Sequence, residues 1–157
     1  MVNKAYVIVP LVVAVVFLIF PFVLYSGNMI MVVTSDSMLP TLKPYDMIVV
    51  EKVGIDKVSV GDIIAFDSHI EGIGIVAHRA IEVFNDHGKI GLSTKGDNVE
   101  TSDGWVVHDE DFIGKVVSSV PTMGVFLIEP VRYGIVAVIV ITAISLLREV
   151  MAKPKTV

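Results

Sequence analysis

Cysteine is absent from all 157 residues, which excludes disulfide staples, thiol catalysis and cysteine-ligated zinc while leaving the redox compartment open. Internal repeats and low-complexity tracts are missing as well. Charge is lacking wherever apolar residues concentrate: Ala5 to Tyr25, "AYVIVPLVVAVVFLIFPFVLY", runs 21 residues without any, and Tyr133 to Leu147, "YGIVAVIVITAISLL", runs 15. Basic charge is scarce between those runs. From Asn28 to Glu129 there are 16 acidic against 7 basic side chains, whereas the ends carry Lys4, Arg132, Arg148, Lys153 and Lys155 against Glu149, giving −5 in total. So acidic a middle argues against nucleic acid as a partner.

What is present points to a membrane. The chain is 54% apolar with a mean hydropathy of +0.76, above the roughly 45–50% apolar content of soluble domains, and its length suits one domain plus its membrane segments. The first apolar run exceeds the ~20 residues that cross a bilayer, and Pro10 and Pro21 lie near its ends. It is longer than the ~7–15-residue core of a cleavable leader, and "YSGNMIMVV" offers no small-residue cleavage site, so it reads as an uncleaved anchor. The second run falls short of the usual ~17–25 residues, but Arg132 and Arg148 are able to snorkel outward and lengthen it. It reads as transmembrane, with an interfacial or partner-packed helix as the alternative. Basic ends place both termini in the cytoplasm. The expected organisation is an N-terminal anchor over 1–27, an extracytoplasmic β-rich domain over 28–129, and a C-terminal span with a basic tail over 130–157.

Within the middle, "DMIVVEKV", "GDIIAFDS", "GIVAHRAIEVF", "KIGLSTKG" and "DFIGKVVSSV" are short runs rich in Val and Ile, separated by turn signals such as "VGID", "SVGD", "NDHGK" and "KGDN". No stretch holds a helical period for more than a turn or two. These features predict a mainly β, antiparallel sheet or barrel-like domain.

Chemistry is suggested first by "MVVTSDSMLPTLKPYD", where Thr34, Ser35 and Ser37 flank Asp36 shortly after the anchor. Most such serines are turn or capping residues, and a serine nucleophile needs a base. Of four histidines, His69 and His87 lie in polar loop segments and His108 in the acidic "VVHDEDF", which suggests solvated rings. His78 sits among β-branched residues in "GIVAHRAIEV", where strand pairing would fix its ring; imidazole suits base work near neutral pH. By itself such a histidine is more often structural than catalytic. A base histidine is usually held by a carboxylate, and "STKGDNVETSDGW" supplies Asp97 and Asp103.

In combination, "SDSMLPTL", "VGDIIAF", "IVAHRAIEV" and "LSTKGDNVETSD", in that order behind an N-terminal anchor, resemble type I signal peptidases of the archaeal and endoplasmic-reticulum branch. The likeness covers roughly residues 1 to 120, and His78 stands where the bacterial branch has lysine. It implies a serine endopeptidase that removes signal peptides, with Ser37 as nucleophile, His78 as general base, Asp103 orienting the histidine and Asp97 supporting the site. Ser35 matches the hydroxyl that assists the Ser37 N–H in binding the oxyanion, and Asp36 stands where the family most often has glycine. The likeness implies no cofactor and no metal. The implied partners are preprotein signal peptides, membrane lipid and the protein-translocation channel, with the domain outside the cell membrane or, alternatively, in the endoplasmic-reticulum lumen.

Distance along the chain agrees with that substrate. A serine ten to twelve residues past the anchor is at most ~40 Å of extended chain from the bilayer, within reach of peptide bonds just outside it. Substrate is expected to add as a strand, with apolar pockets choosing small side chains at the first and third positions before the cut. Met31, Val32, Val33, Met38 and Leu39 are candidate substrate or membrane contacts, or core residues. Two further readings compete: a Ser/Lys peptidase of the self-cleaving repressor type, using Lys52 or Lys95, and a non-enzymatic membrane-anchored β domain acting as an assembly subunit.

Overall fold

The structure, a computed structural model, describes residues 5–26 and 30–152; Lys4, Lys153 and Lys155, used above for orientation, lie outside them. The chain divides into two compact units, one of the terminal segments up to Leu24 and from Phe126, the other spanning Tyr25–Val125. In the first, helix α1 covers Ala5–Ser26 and continues through Pro10 and Pro21. Helix α2 covers Glu129–Ala152, well beyond the expected 133–147. Its segment Glu129–Glu149 is 21 residues long with mean hydropathy 2.0 and only 6% of it buried, a length sufficient to cross a bilayer and an exposure unlike that of a soluble core helix. The hydroxyls of Thr142 and Ser145 donate to the carbonyls of Val138 and Ile141 one turn earlier, which removes two free polar groups from the apolar surface. Arg132 pairs with Glu129 at 3.9 Å, and its guanidinium stacks 5.1 Å above the Tyr133 ring. With its side chain only 13% exposed, it folds back on its own helix instead of reaching outward.

The second unit is a seven-stranded antiparallel sheet in the order β1-β2-β7-β3-β4-β5-β6. Five strands fall on the predicted runs: β2 Met47–Glu51, β3 Ile63–Asp67, β4 Ile75–Asp86, β5 Lys89–Lys95 and β7 Phe112–Val120. The edge strands β1, Ile30–Val32, and β6, Val106–Val107, were not expected. The β4–β5 hairpin closes through His87 and Gly88, both at positive φ, the geometry that "NDHGK" announced.

Two apolar clusters lie on opposite faces of the sheet. Ile64 and Phe66 of β3 belong to one, with Ala80, Leu92 and Val107; Ala65 belongs to the other, with Ile48, Val50, Met38 and Leu42. Burial on both faces explains why β3 reads as the unbroken apolar run "IIAF" instead of alternating. Met38 and Leu42, each 2% exposed, bring the Ser37 turn into the second cluster, and burying each contributes about 2 kcal/mol. The nucleophile candidate is therefore mounted on a turn fixed by the core.

Candidate active site

Ser37 lies on a tight turn just after β1. The Leu39 N–H donates to the Asp36 carbonyl, and the Leu42 N–H to the Met38 carbonyl. Asp36 is exposed, and it is absent from the residues with positive φ. Its backbone thus imposes no requirement for glycine. The Gly96–Asn98 turn closes over the same segment. The Asn98 N–H donates to the Ser37 carbonyl at 2.8 Å and its side-chain amide to the Asp36 carbonyl at 3.2 Å. A Cβ on Gly96 would stand 2.6 Å from the Ser37 carbonyl oxygen and 3.2 Å from His78 Nε2, so only glycine lets the two segments meet.

His78 is the fourth residue of β4, opposite Ile64, and 8% exposed. The edge of its ring system meets Phe66 with centroids 6.4 Å apart. Its Nε2 is 3.0 Å from Ser37 Oγ, and its Nδ1 is 2.7 Å from Asp103 Oδ2. An ionised carboxylate only accepts, so Nδ1 carries the proton towards Asp103 and the Nε2 lone pair faces the Ser37 hydroxyl. Ser37 then donates to the ring, and Ser35 Oγ, 3.1 Å from Ser37 Oγ, donates to Ser37. The arrangement is suited to take a proton from a serine as it attacks a carbonyl.

Asp97 turns away from that line. Its Oδ1 and Oδ2 accept from Arg79 Nε at 2.8 Å and Nη2 at 2.6 Å, and Oδ2 also accepts from the Thr41 hydroxyl. Arg79 Nη1 donates to the Gly61 carbonyl. Asp97 thereby ties β4 to the segment following Ser37. The bidentate guanidinium holds the Asp97 carboxyl below the usual carboxylate range against the opposing effect of burial, with Thr41 adding to it, while Asp97 raises Arg79. For an acid whose folded pKa is depressed, the stabilisation is complete above the unfolded value, ~3.9, and disappears as pH falls through the folded value. The raised arginine matters only at strongly alkaline pH. Asp97→Asn is accordingly expected to cost on the order of 1 kcal/mol at pH 7 and progressively less below pH ~4. Thermal unfolding of both proteins across that range measures it.

An apolar groove of about 430 Å³ opens onto Ser37 and His78. Met31, Val32 and Val33 form one wall, Ile73, Ile75, Val76 and Ala77 the other, and Met38, Leu42 and Ile48 line it from the core. Both walls have strand edges without a neighbour among the described residues. Strand β1 pairs only with β2, and β4 meets β5 only from Arg79 onward. The buried Met38 is not available as a membrane contact, because the turn drives its side chain into the core. Leu39 is half-buried and does not line the groove.

His69 and His87 are exposed as expected, the former 2.7 Å from Asp111. His108 is not the solvated ring expected of its acidic stretch. It is half-buried, donating through Nδ1 to the Ile90 carbonyl with Nε2 3.2 Å from Asp86, since β6 carries it onto the β4–β5 hairpin. Among the described residues neither Lys52 nor Lys95 bonds to Ser37, and no group of three or more His, Asp or Glu side chains is arranged to hold a metal ion. Sequence reasoning passed over Arg79, Gly96 and Asn98. The "HR" pair and the full "KGDN" turn were the available signals.

Residues 2–119 match the family model described as signal peptidase, peptidase S26. The chain is 34% identical over 107 residues to the signal peptidase complex catalytic subunit SEC11 of Colletotrichum graminicola, covering 63% of this chain and 62% of that protein. It is 33% identical over 109 residues to the subunit of the same name in Leptosphaeria maculans, covering 63% and 61%. The chain thus spans about three fifths of the length of these relatives. The order of the serine turn, the histidine strand and the GDN turn, and the match across three quarters of the chain, have one reading: the chain belongs to the signal peptidase family, peptidase S26.

Proposed function

We propose that this chain is a membrane-bound serine endopeptidase that removes N-terminal signal peptides from preproteins. The observation that carries the reading is the continuous line Ser37 Oγ, His78 Nε2, His78 Nδ1, Asp103 Oδ2 at the mouth of an apolar groove. His78 takes the Ser37 proton as Oγ bonds to the scissile carbonyl carbon. The Ser37 N–H and the Ser35 hydroxyl, released from its contact with Ser37 Oγ, hold the oxyanion. Collapse breaks the C–N bond, and the imidazolium protonates the leaving amine. Water, deprotonated by the same ring, then hydrolyses the acyl ester. Asp103 fixes the tautomer, and Asp97 supports the site through Arg79 and Thr41.

Substrate enters as an extended strand between the free edges of β1 and β4, which supply main-chain hydrogen bonds while the groove's apolar walls select small side chains. In this reading α1 and α2 anchor residues 28–129 on the outer side of the membrane, close to the translocation channel and within chain reach of cleavage sites at the bilayer surface. The relatives are fungal subunits of a signal peptidase complex. That favours the endoplasmic-reticulum membrane, with a lumenal catalytic domain, over the cell membrane.

The purified chain incubated with a preprotein should release the mature protein at one bond. A bulky residue directly before that bond should abolish the cut. Indifference to that residue, or no cleavage of any preprotein by the well-folded wild type, would refute the reading.

A further inference from the structure

We propose that Thr94 is a positioning residue for the hydrolysis, locking Asp103 in the rotamer that accepts the hydrogen bond from the His78 Nδ1–H. The inference rests on the Ser37/His78/Asp103 reading above and extends it by one hydrogen bond. Thr94 lies in β5, opposite Ala80 of β4 and so on the strand beside His78. It is fully buried. Its hydroxyl donates to Asp103 Oδ2 at 2.6 Å, the same oxygen that receives His78 Nδ1 at 2.7 Å, and its carbonyl accepts the Asp103 N–H at 2.8 Å.

This two-point attachment addresses a weakness in the site. Asp103 is carried by a loop of turns and bends, not by a strand, and a carboxylate on such a segment is free to rotate about its side-chain torsions unless something holds it. Backbone pairing fixes where the residue is, and the hydroxyl fixes which oxygen faces the ring. A strand interior takes valine as readily as threonine. Packing alone therefore does not call for a hydroxyl here, and Asp103 is the partner that hydroxyl has among the described residues. Thr94 neither touches substrate nor transfers a proton. It acts through Asp103.

Thr94→Val keeps the shape and removes the O–H. Its kcat on a preprotein should fall roughly 10–100-fold, the size of loss seen when a group that orients a metal-binding side chain is removed, with KM unchanged, and Thr94→Ser should restore most of the loss. In an Asp103→Asn background, Thr94→Val should cause no further loss, because its effect passes through the carboxylate. A merely structural threonine would slow both backgrounds alike or would lower the unfolding temperature without rescue by serine; either result overturns the proposal, as does wild-type kcat in Thr94→Val. Ser37→Ala run in parallel separates the two claims. Full cleavage by Ser37→Ala removes the hydrolase reading and the role of Thr94 with it, whereas an inactive Ser37→Ala beside a fully active Thr94→Val removes only the latter.

Discussion

Replacing His78 with alanine is expected to reduce the rate of signal-peptide cleavage by a factor on the order of 10⁴–10⁶ while leaving the sheet intact. The loss is large because the Ser37 hydroxyl meets no other base among the described residues. The other partner of that hydroxyl is Ser35, itself a hydroxyl that cannot hold a proton at neutral pH. The fold should survive, since β4 keeps its pairing with β3 on one side and β5 on the other. His78→Lys should not restore activity even though a lysine base serves the bacterial branch. An ammonium in this position would lie beside Asp103, and an opposite charge at that range favours the protonated form, which cannot accept from serine. Cleavage assays with circular dichroism as the folding control decide it. An alanine variant as active as wild type would remove histidine from the mechanism.

The second large effect separates the two aspartates, six residues apart in sequence and different in surroundings. Asp103→Asn should lower turnover by about 10⁴-fold with binding nearly unchanged. If the amide turns its NH₂ to the ring it forces the wrong tautomer, and if it keeps its oxygen there it lacks the charge that stabilises the imidazolium. Asp97→Asn should be far milder. Asp97 faces Arg79 and Thr41, away from the imidazole hydrogen bonds, and its loss loosens the brace between β4 and the serine turn without touching the tautomer. Kinetics of both variants on one preprotein test the assignment; an inactive Asp97→Asn beside an active Asp103→Asn would exchange their roles.

The serine turn, the histidine strand and the aspartate loop were legible because each has a local signature: "SDSMLP" as a non-helical polar turn, "IVAHRAIEV" as a β-branched run, "KGDN" as a turn with a second carboxylate behind it. The five longer strands were legible for the same reason. Strands β1 and β6 were not, since three and two residues carry no periodicity, and their existence depends on partners distant in sequence. Arg79 was missed because a strand arginine reads as a solvent-facing charge until Asp97 is seen beside it. For Met38 the sequence left contact and core packing open, and the structure shows it buried in the second core cluster beneath the serine turn while it also lines the groove. The length of α2 was underestimated because Arg132 and Arg148 were counted as ends, while the helix runs through both.

The central claim, that Ser37 forms and breaks a covalent bond to the substrate under control of His78, is tested most directly by mass spectrometry of enzyme acid-quenched during turnover of a preprotein. The account predicts a mass increase equal to the cleaved signal peptide in acyl linkage, located to the fragment containing Ser37 and absent from Ser37→Ala, which should also leave the preprotein intact. An adduct on any other residue, or undiminished cleavage by Ser37→Ala, would contradict it.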